Sequence, residues 1–257
     1  MSSPSIFRNP QLDGASFFWE AGPVGVLLCH GFTATTTEVL LLANALYEEG
    51  YSIAAPLLPG HNTTPEDCNR FKWQDWYVAF EQACQQLAQK CRRVVVGGES
   101  TGALLALYHA AQHPEDFAIL CYAPALRLLL SPLKVSLLSL LVPFVTAIPK
   151  PASTDDNLWK GYNVNPLKGA SQLIKLQKAV IPLLQKIHQP ILILQGRLDP
   201  TVHPQAPQLI LDQVGSEVKQ LHWLQNSSHC VILDKERALA SQLTIEFLES
   251  IHTQKIE

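Results

Sequence analysis

Charged side chains are scarce in this sequence of 257 residues. They make up 16% of the chain, against about 25% in a typical globular protein, and the net charge is −3 with no acidic or basic block. Because a nucleic-acid-binding surface needs clustered basic residues, we expect no nucleic-acid partner. Apolar residues make up 47%, which is enough for a large core and for an apolar pocket or surface.

Targeting and membrane-spanning patterns are also missing. Residues 1–5 have neither the basic start nor the apolar stretch of a secretory signal. The longest apolar stretch, residues 128–148, is interrupted by two prolines and a lysine, which makes it a poor membrane span. The six cysteines form no CxxC pair, and most lie in apolar stretches, as buried free thiols do. We therefore expect a cytoplasmic protein without a transmembrane segment.

Short apolar runs alternate with helical periodicity along most of the chain. This alternation predicts one α/β domain with a mostly parallel sheet flanked by crossover helices. The predicted strands cover residues 24–29, 51–55, 94–96, 117–123, 191–195 and 218–224. Thr35 and Glu38 have the spacing of a capping box before a helix that stops at Gly50. Asp234 is the predicted N-cap of a last helix over residues 235–251.

Residues 126–188 break the alternation. They contain two helical stretches and a polar, proline-bearing middle over residues 149–166, with no convincing strand. About sixty residues between two sheet strands exceed a simple crossover. We interpret residues 126–188 as a cap over the carboxyl edge of the sheet, where open α/β folds place their sites. Residues 1–125 and 189–257 then form the core.

The sequence Gly98-Glu99-Ser100-Thr101-Gly102 lies between an apolar strand and an apolar helix. A serine at the apex of a sharp strand-to-helix turn is held in a strained backbone conformation, and only small residues two positions away on each side leave room for the turn. Gly98 and Gly102 provide that room. This setting predicts that Ser100 is a nucleophile.

A serine nucleophile needs a base, and the base needs an acid that fixes its tautomer. Asp199 lies in the loop after the strand predicted at residues 191–195, and His229 follows the strand predicted at residues 218–224. We therefore predict Asp199 as the acid and His229 as the base. Asp199 taken alone also suits a turn. Two rival histidines are less well placed, because His222 lies inside a strand and His203 precedes it.

An ester carbonyl attacked by serine develops an oxyanion that needs backbone donors already in position. One predicted donor is the N–H of Thr101, directly after the nucleophile. The other is the N–H of Phe32, in the loop His30-Gly31-Phe32 that follows the first parallel strand. Gly31 permits the tight turn that aims this amide inward. The alternative is an ordinary turn at a strand end.

These motifs resemble those of the α/β-hydrolases, in particular the small bacterial carboxylesterases and monoacylglycerol lipases. The similar segments are His30–Thr33, Leu58–His61, Trp73–Trp76, the turn at Ser100, Gly196–Asp199, and His229 with the four residues Val231-Ile232-Leu233-Asp234. The resemblance implies the α/β-hydrolase fold with an inserted cap, a triad of Ser100, Asp199 and His229, and donors at Phe32 and Thr101. It implies no metal and no organic cofactor.

The chain departs from the family pattern beside the nucleophile. Glu99 replaces a histidine or apolar residue, Thr101 a methionine or leucine, Ala103 a second glycine, and Ser228 the glycine before the base. None of these changes removes a reacting group, but they leave the substrate preference open. We expect Glu99 to be a carboxylate hydrogen-bonded to a neighbouring loop.

The predicted activity is hydrolysis of carboxylic esters, of monoacylglycerol or another small ester with an apolar acyl chain. The leucine-rich residues 128–130 and 136–141 either line an acyl tunnel or form a helix packed directly on the core, with no cavity between them. Transient contact with a membrane surface is compatible with this substrate class. An acyltransferase or thioesterase would use the same triad with another acceptor or substrate. A non-catalytic ligand receptor can share the fold, but a receptor needs no catalytic base, so the complete triad argues against this alternative.

Overall fold

A computed structural model describes residues 5–130, 144–150 and 158–254. The strands are β1 Phe7–Arg8, β2 Phe17–Trp19, β3 Val24–Cys29, β4 Ser52–Ala55, β5 Arg93–Glu99, β6 Ala118–Tyr122, β7 Ala147–Pro149, β8 Gly161–Tyr162, β9 Val164–Pro166, β10 Ile191–Gly196 and β11 Lys219–Leu224. The helices are α1 Leu40–Glu48, α2 Pro65–Cys68, α3 Trp73–Lys90, α4 Thr101–Ala110, α5 Leu167–Val180, α6 Ala206–Gln213 and α7 Arg237–Gln254, with 3₁₀ turns at Thr36–Glu38 and Ile181–Lys186.

Seven strands form the central sheet in the order β11-β10-β6-β5-β3-β4-β2. Six of them are parallel, and the edge strand β2 pairs antiparallel with β4. The inner strands β3, β5, β6 and β10 are almost entirely buried, because helices cover both faces of the sheet. The expected α/β architecture, with a mostly parallel sheet flanked by helices, is confirmed.

Two apolar clusters, one on each face, hold the helices to the sheet. Helices α3, α4, α5 and α6 contribute to one cluster, with Trp76 and Leu104 among its buried residues. Helices α1 and α7 contribute to the other, with Leu46 and Phe247 among its buried residues. The loops after β3, β5, β10 and β11 meet at the carboxyl edge of the sheet.

Short strands occur within residues 126–188, so the expectation that this segment has none was wrong. β7 pairs with β9, and β8 pairs with β1 near the start of the chain. Leu128 forms a bridge with Val202, whereas the neighbouring residues Leu129 and Leu130 are exposed. The leucine-rich residues 136–141 lie outside the described residues. The boundaries of the cap stay a prediction.

Two helix starts differ from the predicted ones. The Thr35 side chain makes no capping hydrogen bond, and regular helix begins only at Leu40, after the 3₁₀ turn. The last helix begins at Arg237, and the Asp234 carboxylate accepts hydrogen bonds from the amides of Ser228 and Lys235. Glu38 and Asp234, the two acidic residues that suggested helix caps, therefore make other contacts than the predicted ones.

Candidate active site

Ser100 stands alone between the last residue of β5 and the first residue of α4. Its backbone has φ 55° and ψ −105°, a strained conformation for a residue with a side chain. A Cβ atom on Gly98 or Gly102 would approach the carbonyl oxygen of Cys29 to 2.4 or 2.1 Å. Glycine is therefore required on both sides of Ser100, because the turn is packed directly against the end of β3.

The structure brings the side chains of Ser100, His229 and Asp199 into one hydrogen-bonded row. Nε2 of His229 lies 3.0 Å from Oγ of Ser100, and Nδ1 of His229 lies 2.8 Å from Oδ2 of Asp199. They come from the loops after β5, β11 and β10 at the carboxyl edge of the sheet. The two rival histidines lie apart from this row: His203 accepts the amide of Gln205, and His222 contacts Gln220.

The Asp199 carboxylate accepts four hydrogen bonds. His229 and the Gln195 side chain, at 2.7 Å, share Oδ2, while the amides of Thr201 and Val202 bind Oδ1 at 2.7 and 3.0 Å. The side chain is only 2% exposed. Burial alone would raise its pKa, but the hydrogen bonds and the nearby imidazole outweigh burial, so the pKa of Asp199 is lowered. An ionised carboxylate therefore faces Nδ1 of His229 at neutral pH.

His30 shapes the loop that holds Phe32. Its Nδ1 lies 2.8 Å from the carbonyl oxygen of Gly31, and its Nε2 accepts the amide of Leu58 at 3.0 Å. Burial lowers the pKa of His30 to about 4, so the ring is neutral and donates from Nδ1 to Gly31. A Cβ on Gly31 would lie 3.2 Å from Cβ of Ser100. The loop is thus packed against the nucleophile, and Thr101 follows Ser100 directly as the first residue of α4.

Glu38, which the sequence pattern assigned to a capping box, instead supports this loop. Oε2 accepts the amide of Gly31 at 2.5 Å, and Oε1 accepts the indole N–H of Trp159 at 2.8 Å and the thiol of Cys230 at 3.6 Å. The residue is 3% exposed. Burial raises its pKa, and these donors and His229 lower it in part. In the sequence, the one hint of this role was a single acidic residue a few positions after His30-Gly31.

Glu99 is fully buried directly before Ser100. Neither carboxyl oxygen has a hydrogen-bond partner of normal geometry within the described ranges, although the amide of Val231 is near enough to favour the charged form. Burial, reinforced by the negative charge of Glu38, raises the pKa of Glu99 well above its usual range. We expected a hydrogen-bonded carboxylate here, and the surroundings favour the neutral acid instead.

Comparison with known proteins identifies relatives over nearly the whole chain. Residues 24–236 match the family described as serine aminopeptidase, S33. The chain is 32% identical over 241 residues to the thermostable monoacylglycerol lipase of Bacillus sp. (strain H-257), covering 93% of this chain and 96% of the relative. It is 27% identical over 236 residues to a carboxylesterase of Bacillus subtilis (strain 168), covering 91% and 96% of the two chains.

Solved structures agree with these relatives. One described with LipS and LipT, two metagenome-derived lipolytic enzymes, has a TM-score of 0.87 and 29% identity, and the match covers 92% of this chain and 98% of that one. Among the helices within the described residues, none is long and apolar enough to cross a membrane. The chain is a hydrolase of the α/β-hydrolase fold, and it belongs to the serine aminopeptidase S33 family.

Proposed function

We propose that this enzyme hydrolyses carboxylic esters with an apolar acyl chain, monoacylglycerols or similar esters, through an acyl-enzyme on Ser100. The observation that carries the proposal is the row of hydrogen bonds from Ser100 through His229 to Asp199, at 3.0 and 2.8 Å. The names of the curated relatives, a monoacylglycerol lipase and a carboxylesterase, support the ester substrate.

In the first step, Nε2 of His229 takes the proton of Ser100 as Oγ attacks the ester carbonyl carbon. Asp199 keeps the proton on Nδ1 and stabilises the imidazolium that forms. As the tetrahedral intermediate collapses, the ester C–O bond breaks and His229 gives its proton to the departing alcohol. Water then attacks the acyl-enzyme with His229 again as base, which releases the acid and restores Ser100.

The oxyanion of each intermediate would be held by the amides of Thr101 and Phe32. Thr101 is the first residue of α4, so its N–H belongs to the electropositive end of that helix. Phe32 follows Gly31, whose amide is bound to Glu38 and whose carbonyl is bound to His30. We assign Glu38 as a positioning residue, because its hydrogen bond to Gly31 fixes the loop that presents the Phe32 amide.

Exposed apolar side chains near the carboxyl edge support an apolar substrate. Leu198 precedes Asp199 and is 59% exposed. Leu129 is 50% exposed, and its amide donates to the carbonyl of Thr201 in the same loop. Burying one acyl methylene against such surfaces is worth about 0.8 kcal/mol. Specificity should therefore rise about fourfold per methylene until the pocket is full, and then fall.

Labelling with a fluorophosphonate probe tests the nucleophile. We expect one label, mapped by mass spectrometry to the peptide that contains Ser100, and none in Ser100→Ala. Specificity constants over p-nitrophenyl esters of increasing chain length test the substrate class. A label on another serine would overturn the mechanism, and a flat length profile would overturn the apolar-ester assignment.

Product analysis separates hydrolysis from acyl transfer, because both reactions use the same acyl-enzyme. The enzyme is assayed with water alone and with added glycerol or thiol. Free acid as the main product in every case supports a hydrolase. Glycerol esters or thioesters as the main products would make it an acyltransferase, and a preference for acyl thioester substrates would make it a thioesterase.

A further inference from the structure

A second chemical cluster lies between α3 and α4, at the opposite end of α4 from Ser100. Tyr77, Glu81 and Cys84 follow helical spacing along α3 and face His109 near the end of α4. Asp116 joins them from the segment that enters β6. His109 is nine residues beyond Ser100, a rise of about 14 Å, so the cluster is separate from the triad.

Three of these side chains present metal-binding atoms to one point. Nε2 of His109 lies 3.4 Å from Sγ of Cys84 and 3.5 Å from Oδ2 of Asp116, and the three atoms all lie within 4.8 Å of one another. A tetrahedral Zn²⁺ site with its usual bond lengths separates such donors by about 3.3–3.6 Å. The two measured separations fit that geometry. All three residues are buried, with exposures of 6%, 2% and 7% in chain order.

Among the described residues, hydrogen bonding leaves one buried oxygen of this cluster, Oδ2 of Asp116, without a partner. Nδ1 of His109 lies 3.2 Å from the hydroxyl of Tyr77, which in turn lies 3.4 Å from Glu81. With its proton on Nδ1, His109 directs the lone pair of Nε2 toward Cys84 and Asp116. Asp116 is only 7% exposed, and its Oδ2 has no hydrogen-bond partner in the described part of the chain. A cation among the three atoms would give Oδ2 of Asp116 a partner and would replace the hydrogen bond between the Cys84 thiol and Nε2 of His109.

We propose that Cys84, His109 and Asp116 form a Zn²⁺ site that stabilises the fold, with a water molecule as the fourth ligand. A thiolate, an imidazole and a carboxylate are ligands that zinc accepts together. Tyr77 would fix the tautomer of the ligating histidine, as partners of the other ring nitrogen do in metal sites. Binding would displace the proton of the Cys84 thiol, and it would tie together α3, α4 and the approach to β6.

The test uses the full-length, untagged protein, with thiols reduced and metal removed by dialysis against a chelator. Titration with Zn²⁺ in a calorimeter should give one site per chain. Melting curves should show Tm rising by roughly 5–10 °C at a Zn²⁺ concentration a hundredfold above Kd. Failure of the reduced wild-type protein to bind Zn²⁺, or binding without a rise in Tm, would overturn the proposal.

Variants then locate the metal. Tyr77→Phe should raise the Kd for Zn²⁺ roughly 10- to 100-fold. Cys84→Ser and Asp116→Asn each remove a ligand and should raise it further. Cys91→Ser is the matched control, because Cys91 is a buried free thiol at the end of the same helix. Co²⁺ should give a thiolate charge-transfer band in the wild type and in Cys91→Ser. That band persisting in Cys84→Ser, or equal affinities of the two cysteine variants, would place the metal elsewhere.

Discussion

Replacing Glu38 by Gln tests whether a residue that does not touch the substrate controls the oxyanion donor. The carboxylate accepts an N–H on each oxygen, from Gly31 at 2.5 Å and from Trp159 at 2.8 Å. Glutamine has nearly the same size but only one accepting oxygen. Trp159 and the thiol of Cys230 both donate to one oxygen, so the glutamine oxygen should keep that position. The NH₂ group then faces the amide of Gly31, and this contact is lost.

The size of the effect follows from the contact that is lost. A hydrogen bond to a charged group contributes about 1.5–3 kcal/mol, and removing an oxyanion donor lowers kcat by about 10²–10³. Glu38 acts on Phe32 only through Gly31, so the loss should be smaller than for the donor itself. We expect kcat to fall about 10- to 100-fold in Glu38→Gln, with KM changed by less than about threefold, because the interaction strengthens only in the transition state.

Steady-state kinetics with p-nitrophenyl butyrate and a melting curve for each variant make the measurement. Trp159→Phe removes the indole donor while leaving Gly31 its acceptor, so it should keep most of the activity. Glu48→Gln, on the exposed end of α1, controls for the loss of one charge. If Glu38→Gln melts earlier but keeps the wild-type kcat, Glu38 is a structural residue and the assignment fails.

Three further predictions concern the triad and Glu99. Ser100→Ala and His229→Ala should each abolish turnover of short p-nitrophenyl esters without changing the circular dichroism spectrum, because the two groups act as a unit; residual turnover near the wild-type rate in either would refute the assignment. Asp199→Asn should lower kcat by about 10⁴ through the wrong imidazole tautomer, as the same change does in a serine protease with this triad, while Asp212→Asn on the surface of α6 should be mild. Native Glu99 keeps a proton that the unfolded chain loses above about pH 4.5, so wild-type stability falls as pH rises. In urea unfolding, the free energy of unfolding of Glu99→Gln should rise relative to that of the wild type by up to about 1.4 kcal/mol per pH unit. A difference between the two proteins that stays constant from pH 5 to 8 would contradict the neutral acid.

The turn at Ser100 was predictable because its causes are local. The apolar strand, the two glycines and the apolar helix occupy adjacent positions, and the close approach to Cys29 explains the glycines afterwards. The positions of Asp199 and His229 were predictable for a different reason. Parallel strands direct their carboxyl ends to one edge, so loops distant in sequence meet there whatever their length.

The features that were missed depend on distant partners or on very short elements. Glu38 has the local spacing of a capping residue, but Trp159, which donates to it, lies 121 positions away. Strand β8 has two residues and β7 and β9 three each, too few for an alternating pattern to be recognised. Cys84, His109 and Asp116 come from three elements without a ligand-spacing motif, so only the packing of α3 on α4 brings them together.

The ionisation states of Glu38 and Glu99, the two buried acidic residues near Ser100, depend on each other. If both were ionised, two negative charges would share a region without solvent, which is why the charge of Glu38 raises the pKa of Glu99. Glu38, with an N–H on each oxygen, is the better place for the single charge. That charge also interacts favourably with protonated His229, the form that appears as Ser100 attacks. The double variant Glu38→Gln/Glu99→Gln should therefore lose as much kcat as Glu38→Gln alone, because Glu99 contributes no charge to the transition state; a further tenfold loss would show that Glu99 acts in its ionised form.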